Sequence, residues 1–238
     1  MIMSVLSNWI KVQENIQRAC QRSGRHPKDI QVVAVTKYVD VERIKETLAA
    51  GLEHIGENKA QDVRRKWEAA GQRGIWHFIG YLQSNKVKYV IDKCRYIHSL
   101  DRLSLAKEIE KRAAKLGRTV DCFVQVNVSG EESKHGLKAE EVETFVEQLA
   151  EYEHIRVIGL MTMAPHVRNA EETRPVFQRL KQLQLTLQEK KWPHAPSTEC
   201  SMGMSNDYEV AIEEGATFIR LGSCLVGRKT SESTKEKI

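Results

Sequence analysis

Lys37 closes an apolar run, Ile30-Gln31-Val32-Val33-Ala34-Val35-Thr36, that reads as one buried strand delivering an amine at its C-terminal tip. Far downstream, Ser201-Met202-Gly203-Met204-Ser205 and Arg220-Leu221-Gly222-Ser223 combine glycines with hydroxyls. Gly203 and Gly222 allow the backbone close to an anion, and the serines donate hydrogen bonds to it. An amine opposite such a cradle suits a phosphorylated aldehyde, which it could hold as a Schiff base. The lysine must be partly neutral to condense, a state that partial burial near other cations promotes.

These residues need a scaffold that brings them to one face. Strands are expected at Ile30–Thr36, His54–Gly56, Ile75–Gly80, Tyr96–Ser99, Val120–Asn127, Arg156–Met161, Thr198–Ser201 and Thr217–Leu221. Between them lie helical stripes, the clearest being Leu105, Ile109, Ala113 and Leu116 before Gly117. Val87, Val90 and Ile91 predict another, and Val5 to Ala19 predicts a helix before the first strand. Eight alternating strands imply a parallel, closed (β/α)8 TIM barrel in a single domain over residues 1–238. The charged stretch 228–238 reads as a frayed tail, so the N-terminal helix is expected to fill the eighth helix position or to cap the barrel bottom.

In such barrels the site forms at the C-terminal strand ends, with phosphate near strands seven and eight. Lys37, Asn58, His77, Met161, Ser201, Met202, Gly203, Arg220, Gly222 and Ser223 all fall at or near those ends and are the candidate binding residues. His77, between Trp76 and Phe78, also has a plain reading as a hydrogen-bonded core histidine, and Met161 as packing. The histidines show no metal-ligand spacing, so no metal is assigned.

Composition narrows the remaining classes. A net charge of +5, dispersed among acids, gives no nucleic-acid stripe. Five scattered cysteines without a C-x-x-C motif indicate reduced thiols and a cytoplasmic setting. No run approaches the ~20 apolar residues of a membrane span. A monomer requires no further assumption.

Val35-Thr36-Lys37, Gly56-Glu57-Asn58, Trp76 to Gly80, Leu82 to Lys86, Gly159 to Met163, Ser201 to Asp207 and Arg220 to Ser223 resemble, in order, the YggS/PROSC family of pyridoxal phosphate homeostasis proteins. That family is related to the barrel domain of the fold-type III alanine racemases. The resemblance implies pyridoxal 5'-phosphate (PLP) on Lys37, phosphate contacts from Ser201, Gly222 and Ser223, Arg220 at the pyridine nitrogen and Asn58 near the ring. Tyr81, Ser223 and Leu225-Val226-Gly227 depart from the family's usual residues.

A cation beside the ring nitrogen disfavours its protonation and weakens it as an electron sink. Racemisation also needs acid/base groups on both faces, and in alanine racemases one comes from a further domain. The expected role is therefore intracellular PLP (vitamin B6) homeostasis, as carrier or buffer, with apo PLP-dependent enzymes as recipients. The alternative is a minimal single-domain amino-acid racemase.

Overall fold

In the computed structural model, which describes residues 4–131 and 135–227, eight parallel strands close into a barrel in sequence order. They are β1 Gln31–Val35, β2 His54–Glu57, β3 Ile75–Phe78, β4 Cys94–Leu100, β5 Val120–Gln125, β6 Ile155–Met161, β7 Glu199–Met204 and β8 Phe218–Leu221. The helices are α1 Val5–Ser23, α2 Val41–Ala49, α3 Ala60–Ala69, α4 Leu103–Lys115, α5 Val142–Gln148, α6 Arg174–Glu189 and α7 Tyr208–Glu213. All eight expected strands are present. The stripe around Val87 forms a 3-10 helix, Ser84–Tyr89, instead of an α-helix. The suggested tail at 228–238 lies outside the described residues.

Helix α1 takes the outer position that no helix after β8 fills among the described residues. It starts at Ser4, whose hydroxyl accepts from the Ser7 N–H, and stops at Gly24 in the left-handed conformation. Its buried stripe of Val5, Val12, Ile16 and Ala19 faces the barrel, and it packs between α7 and α2. Asn8 fixes its depth by donating to the Leu225 carbonyl at 2.9 Å.

Strand alternation divides the core into two layers. Val32 and Ala34 belong to the outer cluster under the helices. Val33 points inward with Phe123, Ile158, Met161 and Phe218. That inner cluster borders a buried polar group of His77, His98, Ser201 and Arg220. The barrel axis thus carries apolar packing and a polar core together.

Strand β6 approaches β7 so closely that a Cβ on Gly159 would lie 1.9 Å from the Glu199 carbonyl oxygen. Backbone on both sides leaves no side chain free to yield. Gly159→Ala is expected to lower stability by on the order of 4 kcal/mol or more. Urea unfolding monitored by circular dichroism checks this; a loss below about 1 kcal/mol would show that the sheet opens there at little cost.

Candidate functional site

A cavity of about 560 Å³ opens at the C-terminal strand ends. Its walls come from the C-terminal ends of seven strands and the loops that follow them. Lys37 and Tyr38 follow β1, Asn58 follows β2, and Gly80 and Tyr81 follow β3. Gln125 ends β5, Met163 and His166 follow β6, and Ser205 to Asp207 follow β7. Arg220 lies within β8, and Gly222 and Ser223 follow it.

Lys37 is half-buried, its ammonium 4.9 Å from the centre of the exposed Tyr38 ring. Across the cavity, the turn after β8 meets the loop after β7. Ser205 Oγ accepts from the Gly222 N–H at 3.2 Å and the Cys224 N–H at 3.5 Å. The Ser223 N–H has no protein acceptor among the described residues. A hydroxyl, a free backbone donor and a glycine therefore share one corner, which is a donor set for an anion. Nearer the mouth, Tyr81 stacks on His135 at 4.4 Å and receives the Arg102 guanidinium over its face at 4.8 Å.

Arg220 is 5% exposed and makes no ion pair among the described residues. Burial pulls its pKa down to about 10, with the Asp207 charge acting against that, so it stays cationic near neutrality. The guanidinium is held by Ser201 Oγ at 2.6 Å and the Thr162 carbonyl at 2.8 Å. Burial raises the Asp207 carboxyl, which accepts from the Met204 N–H at 2.5 Å.

Behind Arg220 runs a chain of rings, His98 and His77 buried and His54 half-buried. Ser201 Oγ lies 2.9 Å from His98 Nδ1, His98 Nε2 lies 2.9 Å from His77 Nδ1, and His77 Nε2 lies 2.8 Å from His54 Nδ1. A guanidinium only donates, so Ser201 accepts from it and can turn its own proton to His98 Nδ1. Hydrogen-bond logic then assigns the protons to Nε2 of His98, His77 and His54 in turn, each donating away from Arg220. Every group in the chain presents a lone pair toward the cation. A polarised line of neutral groups thus does for Arg220 what a carboxylate would do elsewhere.

The profile of the alanine racemase N-terminal domain family matches residues 8–230. A pyridoxal phosphate homeostasis protein of Aquifex aeolicus is 43% identical over 228 residues, covering 95% of this chain and 99% of the relative. The chain belongs to the pyridoxal phosphate homeostasis protein family. The structure of PipY from Synechococcus elongatus, solved with PLP bound, superposes with a TM-score of 0.78 at 32% identity, covering 90% of this chain and all of PipY. An alanine racemase of Clostridium difficile shares the fold alone, with a TM-score of 0.74 at 17% identity over 96% of this chain and 58% of the racemase.

In this homeostasis-family barrel, Lys37, Asn58, Arg220, Gly222 and Ser223 line the same cavity, as their strand-end positions predict. The other five candidates lie beneath it. His77 is a link in the ring chain, and Met161 packs in the inner core. Ser201 is fully buried and bound to Arg220 and His98, so its hydroxyl is not a wall donor. Met202 lies in the outer core. Gly203, at φ +92°, sits where a Cβ would meet the Ala211 Cβ at 2.6 Å, so it serves a close helix–strand approach.

The reason is strand length. Strand β7 continues to Met204, three residues past the expected end, with its pairing to β8 shifting between Ser201 and Met204. Ser205 is therefore the residue that emerges at the cavity. The signal was present in the alternation Cys200, Met202, Met204, which carries the strand pattern past Ser201.

Proposed function

We propose that this protein binds pyridoxal 5'-phosphate at the C-terminal mouth of its barrel and acts in PLP homeostasis as a carrier or buffer. The observation that carries the reading is one cavity holding the Lys37 amine, the Arg220 cation and the Ser205–Gly222–Ser223 corner. The cofactor supplies an aldehyde whose carbon bonds an amine nitrogen while the carbonyl oxygen leaves as water.

Lys37 is the amine of the cavity wall. Ser205 Oγ and the Ser223 N–H and hydroxyl hold the phosphate opposite, and Gly222 leaves that corner free of side chain. Arg220 would serve the pyridine nitrogen and, as a fixed cation, would disfavour its protonation. That electronic setting favours storage over carbanion chemistry, and it supports a carrier rather than a racemase. Transfer to apo PLP-dependent enzymes, a monomeric state and a cytoplasmic location complete the reading. No described helix is long and apolar enough to cross a membrane, in keeping with that location.

The test is a titration with PLP, followed by transfer of the bound cofactor to an apoenzyme and assay of alanine turnover. Binding and transfer with negligible racemisation are expected. Turnover in the ordinary enzymatic range of ~1–10³ per second would overturn the carrier reading. Ser205→Ala and Ser223→Ala should each weaken PLP binding by about 1–2 kcal/mol. Pyridoxal without its phosphate should bind both variants and the parent alike; equal parent affinity for pyridoxal and PLP would remove the phosphate role from this corner.

A further inference from the structure

Between the ends of β1 and β2 lies a buried ion pair that the binding scheme does not use. Lys66, from α3, is 2% exposed and Glu57, the last residue of β2, is 0% exposed. The Lys66 ammonium donates to Glu57 Oε1 at 2.7 Å and to the Thr36 carbonyl at 2.7 Å. Thr36 Oγ1 donates to the same Glu57 oxygen at 2.6 Å. Glu57 Oε2 is buried without a partner.

Burying two charges brings little net stability, because the desolvation of both offsets most of their attraction. A position that keeps such a pair calls for another account, and its contacts supply one. All the polar groups of Thr36 are engaged. Its N–H donates to the Gly56 carbonyl at 3.0 Å, and its carbonyl also accepts from the Val39 N–H at 3.2 Å. That carbonyl belongs to the peptide joining Thr36 to Lys37. With that carbonyl held by Lys66 and by the Val39 N–H, and the preceding peptide tied to β2 through the Thr36 N–H, the direction in which Lys37 leaves the barrel is set. The next residue after Glu57 is Asn58, which lines the same cavity as Lys37.

The geometry points to Lys66, Glu57 and Thr36 as positioning residues that aim the Lys37 amine into the cavity. The assignment rests on the reading of Lys37 as the cofactor-bearing amine. A flexible four-carbon side chain reacts fast only if its root is fixed, since binding geometry governs the encounter of amine and carbonyl. The Lys66 ammonium reaches across from α3 to hold the Thr36 carbonyl, and Glu57 compensates its charge. Its neutral replacement would pack and fold while letting that peptide tilt.

The experiment uses the full chain with Thr36→Val, which keeps the shape, and with the double change Glu57→Gln plus Lys66→Met, which removes both charges together. Two ligands separate aim from pocket integrity. Pyridoxal 5'-phosphate is trapped on Lys37 by borohydride, and pyridoxine 5'-phosphate fills the cavity without an aldehyde. The trapping rate at Lys37 should fall by about tenfold or more in both variants, with pyridoxine 5'-phosphate affinity unchanged. Trapping at the parent rate in the folded variants would overturn the assignment, as would equal losses for the two ligands, which would mean that the pair supports the whole cavity.

A second readout needs no cofactor. Reductive methylation with 13C-formaldehyde labels Lys37, and its dimethyl resonance should be single and narrow in the parent but broadened or multiple in the variants. An unchanged resonance would overturn the positioning role. If parent Lys37 traps no PLP, the functional reading falls, and the resonance comparison alone decides the positioning of the side chain.

Discussion

Lys37→Ala is expected to abolish the borohydride-stable pyridoxyl adduct completely. Lys37 is the lysine that lines the cavity with Arg220, Gly222 and Ser223. Lys66 is the other buried lysine near the mouth, but its ammonium is committed to the Thr36 carbonyl and Glu57. Lys59, at the start of α3, and Lys86, in the 3-10 helix after β3, lie outside the cavity wall. The alanine variant should fold as the parent does, because a half-buried side chain held by one aromatic contact contributes little to the core. It should retain noncovalent PLP through the Ser205–Gly222–Ser223 corner while losing the absorbance of the covalent species. Peptide mass mapping after reduction is the measurement. An adduct of equal yield on Lys59 or Lys86 would displace Lys37 from the centre of the site.

Acid should destabilise the barrel steeply, by way of the histidine chain. Burial is the main reason that His77 and His98 are held well below the ordinary imidazole value of 6.5, with neighbouring ring charge adding for His77 and the Arg220 cation for His98. Burial, with Arg95 nearby, takes His54 down to about 4. All three rings are neutral in the folded state near pH 6 and take up protons once unfolded. The unfolded state then binds more protons, so stability is full above about pH 6.5 and falls as pH drops below it. Each fully buried ring contributes a slope of about 1.4 kcal/mol per pH unit, hence about 2.7 for His77 and His98 together.

The paired carboxylates do not act in the same window. Glu213 is held below its ordinary 4.5 by Arg174 and Arg22, against the opposing effect of burial, so its stabilisation is lost only at lower pH. Asp207, whose carboxyl burial raises, opposes the trend on acidification. Urea unfolding midpoints between pH 8 and pH 5 give the test. A flat profile from pH 7 to pH 5 would mean that the rings protonate within the folded barrel, and the polarised chain behind Arg220 would be wrong.

The sequence by itself determined the eight parallel strands and the place of the cavity. Strand and helix periodicities are local, and alternating elements leave a closed barrel as the compact solution. Lys37, Asn58, Arg220, Gly222 and Ser223 were legible for that reason, each lying at a strand end that patterning marks. What the chain did not show was where β7 stops. Three more residues of strand turn Ser201 from a wall hydroxyl into the buried acceptor of Arg220 and bring Ser205 to the surface of the cavity.

Tertiary structure alone decided which residues meet across the barrel. His54, His77, His98 and Ser201 come from four strands spread over some 150 residues of chain, and no local pattern encodes their hydrogen bonds. The Lys66–Glu57 pair is likewise invisible in sequence, because a lysine on an amphipathic helix reads as a solvated charge until packing turns it inward. Side-chain periodicity tells a residue which face it occupies, whereas closure of the barrel tells it whom it faces.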